Sequence, residues 1–71
     1  MNQLSAEDTM RIEAHVQSVL GARVRSLRLL IRDNGLVLQG QTHTYYSKQL
    51  AQQAVMEATQ VPIWANEIYV Y

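Results

Sequence analysis

Seventy-one residues, with no cysteine and with six basic side chains against six acidic ones, make a single small neutral domain. That composition excludes disulfide staples and thiolate-held metals. It also argues against a general nucleic-acid binder, whose affinity rests on many cationic contacts to phosphate.

A chain of this size buries only about 60% of its unfolded surface, so its stability has to come from packing, with self-association as a support. No apolar run approaches the ~20 residues that cross a bilayer. The start, MNQLSAEDTM, has neither a positive n-region nor an apolar core, which predicts a protein retained in the cytoplasm. The domain is read as spanning 1–71, with its core in 6–71.

In chain order, Ser5 is placed as an N-cap with Asp8 three positions on, a weak capping box, and Glu7 and Asp8 suit the positive end of a helix dipole. Ile12, Val16, Val19 and Leu20, with Ala6 and Met10 nearby, form one apolar stripe. The spacing predicts a helix over 6–20, ended by Gly21 in a left-handed conformation. Ala22 to Ser26 is a join, with Val24 buried in it.

The stretch from Leu27 to Gln41 organises the rest. Leu27, Leu29 and Ile31 alternate with Arg28, Leu30 and Arg32, Asp33-Asn34-Gly35 interrupts, and Leu36, Leu38 and Gly40 resume. A period of two on both sides of an Asn-Gly reversal predicts a β-hairpin. Its leucine-rich face needs a cover, because two strands alone are marginal in water. Gly35 is read as the turn glycine. Gly40 is read as a point where a helix or side chain comes close to the backbone.

Thr42 or Thr44 is placed to cap a second helix over 45–59. Tyr46, Leu50, Ala54 and Ala58 stand four apart, and Ala51 and Val55 widen the stripe. Of Tyr45 and Tyr46, one is expected in the core and the other exposed. Pro62 excludes further helix. Ala65 to Tyr71 alternates again, with Ile68 and Val70 on one face and Glu67, Tyr69 and Tyr71 on the other. The order helix, strand, strand, helix, strand predicts an α+β two-layer sandwich, a three-stranded mixed sheet with two helices on one face. Strand order stays open.

This ordered set resembles the BON domain of bacterial proteins. The residues carrying the likeness are Leu29 and Ile31, the turn Asn34-Gly35, Leu36-x-Leu38-x-Gly40, the helical Leu50, Ala51, Ala54 and Val55, and the closing block Val61-x-x-Trp64-x-Asn66-x-Ile68-x-Val70. The match covers 12–71. The resemblance implies the same element order and a non-enzymatic binding module, with phospholipid surfaces, small ligands or proteins as partners.

No catalytic, cofactor or metal constellation stands out. His15 and His43 are too far apart in sequence for a local ligand motif, and nothing in the spacing of Ser47, His43 and Asp33 supports a triad. The surface singled out is the open face of the sheet: Arg28, Leu30, Arg32, Val37, Gln39, Tyr69 and Tyr71. It mixes aliphatic, aromatic and arginine side chains as interfaces do. The alternative to a phospholipid or ligand module is therefore a protein-interaction or self-association module using that face, a homo-oligomer included. Trp64 and Tyr45 are a candidate aromatic rim.

Overall fold

The computed structural model describes residues 5–71, and the part of the leader reading that falls on Met1–Leu4 lies outside them. Helix α1 (Ala6–Leu20) begins at the expected cap. The Ser5 hydroxyl accepts from the Asp8 amide at 3.1 Å, and the Asp8 carboxylate accepts from the Ser5 amide at 3.4 Å. Gly21, at φ +60°, ends the helix and opens one 3-10 turn to Arg23. The buried side of α1 is Thr9, Val16 and Leu20, with Ile12 partly buried. Val19 and Met10 do not belong to it and are exposed. The stripe steps by three, four and four residues and is narrower than the sequence suggested.

Strands β1 (Val24–Arg32) and β2 (Gly35–Thr42) pair antiparallel through a two-residue loop. Asp33 and Asn34 both have positive φ, +50° and +65°. These are the central residues of a type I′ turn, whose twist matches the hairpin. Gly35 is thus not the turn glycine. It is the first paired residue of β2, opposite Arg32.

Arg25 pairs with Gln41 and Arg28 with Gln39, so β1 carries one extra residue there. Ser26 adopts φ +56° at this bulge. The bulge resets the alternation, which lets Val24 and Leu27, an odd number of residues apart, both enter the core. Gly40 stands opposite it at φ +157°, and a Cβ there would come within 3.1 Å of the Arg25 carbonyl oxygen and 3.3 Å of Val24 Cγ1. The close approach expected at Gly40 is therefore made by the bulged backbone of β1.

Helix α2 (Tyr45–Ala58) is capped by Thr44, whose hydroxyl accepts from the Ser47 amide at 3.0 Å. It buries Ser47, Ala51 and Val55, with Leu50 and Ala54 partly buried. Tyr45 and Tyr46 are both exposed, because the buried line runs through Ser47 and leaves both rings beside it. Beyond Pro62 the predicted third strand is two short ones, β3 (Ile63–Asn66) and β4 (Tyr69–Val70), each parallel to β2. The sheet is mixed and four-stranded, in the order β1-β2-β3, with β4 also on β2. Both helices contribute to one core with Leu27, Leu29, Leu36, Leu38 and Ile68. No helix among the described residues is long and apolar enough to cross a membrane.

The outer edge of β1 is closed by α1. Gln17 donates to the carbonyl oxygens of Gly21 (3.2 Å) and Val24 (2.7 Å) and accepts from the Leu27 amide (3.1 Å). Glu13 accepts from the Leu29 amide at 2.9 Å. These side chains occupy edge groups that would otherwise template strand pairing. Gln17→Ala is expected to cost about 1 to 1.5 kcal/mol, read as a lower urea midpoint, with faster amide exchange at Leu27 as its local mark. Unchanged exchange at Leu27 would rule out the latch.

Candidate interaction face of the sheet

Because paired residues share a face, the registers place the open side of the sheet in rows running across the strands. One row is Arg28, Gln39 and Glu67. The β1–β2 pair sets its first half, and a 3.3 Å hydrogen bond from the Gln39 amide to the Glu67 carboxylate sets its second. The next row toward the turn is Leu30, Val37 and Ala65. The last is Arg32 and Gly35 with Trp64 laid over the glycine. On the other side, Arg25 and Gln41 align with Tyr69. Tyr71 follows, parallel to Tyr69 at 6.1 Å between centroids and tilted against His43 at 4.3 Å.

Read down the strands, the face has three columns of different character. The β1 column holds Arg25, Arg28 and Arg32 around Leu30. The β2 column is uncharged through Gly35, Val37, Gln39 and Gln41. The far column holds Ala65, Glu67, Tyr69 and Tyr71, and from its end the Trp64 ring reaches over Gly35 in the middle column. Among the described residues the ion pair present is Arg11 with Asp8 at 3.7 Å, on α1. The arginines of the face and Glu67 therefore carry their charges without an ionic partner in that set.

Most of the sequence-predicted residues lie where the alternation put them. Arg28, Arg32, Tyr69 and Tyr71 are exposed, and Leu30 and Gln39 half-buried. Val37 needs a correction. It lies on this face by register but is only 1% exposed and stands outside the helix-side core, screened by its neighbours. It is a floor residue, not a contact residue. Trp64 and Tyr45 do not form the expected aromatic rim. Trp64 sits at the hairpin turn, its indole N–H donating to the carbonyl oxygens of Arg32 (2.7 Å) and Asp33 (3.2 Å). Tyr45 follows the opposite end of β2. At about 3.3 Å per strand residue the two are more than roughly 20 Å apart.

Arg25 and the sheet-face position of Trp64 were not legible in the sequence. Each depends on a bulge, the one at Ser26 and the register shift that makes Trp64 an extra residue opposite β2. Asp33 and His43 lie at opposite ends of β2, while Ser47 is buried against Thr44. Among the described residues no group of three or more His, Asp or Glu side chains could hold a metal ion. A shallow groove on the outside of α2, lined by Gln49, Gln52, Gln53, Met56 and Glu57, is made by that single helix. No protein-family model matches the chain, and no curated protein or solved structure matches it.

Proposed function

We propose that this chain is a BON-like, non-enzymatic interaction module that docks a protein on the bare face of its sheet. The observation carrying the reading is the segregation of that face into an arginine column and an aromatic-acidic column over a closed apolar floor. Aromatic and arginine side chains are the residue types that anchor interfaces. A floor already screened from water lets the face stay exposed without being a large greasy patch. The element order and the closing Trp64, Asn66, Ile68 and Val70 block support the family likeness. One observation favours a second reading, docking on anionic phospholipid: Arg23, Arg25, Arg28 and Arg32 lie along one edge strand and its approach, where each cation adds attraction to a charged surface.

The four tyrosines divide two and two, Tyr69 and Tyr71 on the face, Tyr45 and Tyr46 at the start of α2. Fluorine spectra of the chain carrying 3-fluorotyrosine therefore test both readings. In clarified cell lysate, Tyr69 and Tyr71 are expected to shift or broaden beyond Tyr45 and Tyr46. Broadening of all four resonances by anionic vesicles at low salt, reversed at high salt, would favour phospholipid instead. Sharp, unshifted Tyr69 and Tyr71 in lysate would reject the docking face.

A further inference from the structure

Resting on the reading of the sheet face as the working surface, we infer that its occupant is a second copy of this chain, stacked face to face about a two-fold axis running along β2. An axis parallel to the strands keeps each row at its own level and exchanges the outer columns. The arginine column of one copy then lies over the aromatic-acidic column of the other.

Row by row, Arg28 meets the second copy's Glu67, Leu30 meets its Ala65 and Arg25 meets its Tyr69, while Trp64, its ring over Gly35 in the central column, meets its own equivalent beside the axis. Each of these three unlike pairs occurs twice, and the self-contact once. One is an ion pair between charges that have no ionic partner among the described residues of a single chain. Another sets a guanidinium over an aromatic face, a favourable arrangement. The Trp64 ring suits the self-contact at the axis, because its N–H is already committed to the Arg32 and Asp33 carbonyls and one ring face rests on Gly35, leaving the other for the second copy's ring.

The competing two-fold, across the strands, would set each arginine column over its own copy and is opposed by like-charge repulsion. Sheets stacked face to face sit about 10 Å apart, a separation long arginine side chains span. With a net formal charge of zero, the chain opposes its own association with no overall repulsion.

Sedimentation equilibrium decides the matter. The wild type is expected to dimerise, with the emission of its only tryptophan, Trp64, moving to shorter wavelength as concentration rises. Arg28→Glu and Glu67→Arg each place two like-charge pairs in the homodimer, and each is expected to weaken it at least about ten-fold. Mixed one to one, the two variants should recover a heterodimer, since both pairs are then complementary. Circular dichroism checks that each variant is folded, and the wild-type emission shift serves as the readout if one is not.

A wild type that stays monomeric at about 1 mM would overturn the self-pairing, as would variants that still dimerise alone or a mixture that fails to associate. Protection of Tyr69 and Tyr71 in lysate, with a monomeric purified chain, would leave the docking face standing while removing the second copy as its occupant.

Discussion

Gly35→Val is expected to lower stability by about 3 kcal/mol, a large share of the ~4 to 10 kcal/mol that a chain of 71 residues has available. The cause is an overlap at a named pair. Gly35 is buried, and a Cβ on it would occupy the space of the Trp64 indole nitrogen and its neighbouring ring carbons. Overpacking alone costs about 1 to 3 kcal/mol. Relief by swinging the indole away would also break its bonds to Arg32 and Asp33, each worth about 1 kcal/mol net. Those carbonyls sit in the type I′ turn, so loosening them loosens the end of the hairpin.

Urea denaturation should show the loss. In a Trp64→Ala background the same Gly35→Val change should cost less than about 1 kcal/mol, because valine suits a strand and glycine does not. An equal cost with and without the indole would mean that the glycine serves the backbone instead.

That residue illustrates how far the sequence could be read. The hairpin, both helices and the parity of Leu27, Leu29, Arg28 and Arg32 follow from local periodicity, and the structure has them. What periodicity missed depends on non-local events. The Ser26 bulge shifts the phase of β1 by one residue, so Arg25 shares a face with Arg28, three positions on. Asn34-Gly35 reads as a turn pair, yet the positive φ values fall on Asp33 and Asn34 and leave Gly35 to accommodate a ring 29 positions later. Val19 fits a helical stripe by spacing but lies to one side of the line that the sheet covers. The alternation from Ala65 to Tyr71 is real. It gave no sign that Asn66 would divide the stretch into two strands.

The candidate face divides in the same way. Alternation was enough to collect Arg28, Leu30, Arg32, Tyr69 and Tyr71 on one side. Only the registers show that Arg28 and Glu67 share a row across Gln39, and only the parallel pairing of β3 puts the aromatic column opposite the arginine column. The chemistry of the face therefore lies in the crossover through α2, which no window of adjacent residues contains.

Asn66, where β3 ends, supports that crossover, and its isosteric replacement Asn66→Asp is expected to cost about 2 to 3 kcal/mol at neutral pH. Its amide nitrogen donates to the Lys48 carbonyl oxygen at 3.0 Å and to the Gln52 side-chain oxygen at 3.2 Å, while its own oxygen accepts from the Ile68 amide at 3.2 Å. One side chain thus ties α2 to the sheet and positions Ile68, a core residue.

Aspartate keeps the shape and the bond to Ile68 but turns a carboxylate oxygen toward two acceptors. Gln52 can rotate its amide to donate, whereas the Lys48 carbonyl cannot. A protonated carboxyl would restore that bond by donating to Lys48, so the folded state holds the proton more tightly than the unfolded chain, whose aspartate titrates near 3.9. With the folded value raised, the variant is as stable as it can be below the unfolded value and loses stability as pH rises toward the folded one. The gap in urea midpoint between variant and wild type should therefore narrow from pH 7 to pH 4. A gap that is the same at both would place the cost of the substitution in packing, and would show that the Lys48 carbonyl is not what the Asn66 amide is there to satisfy.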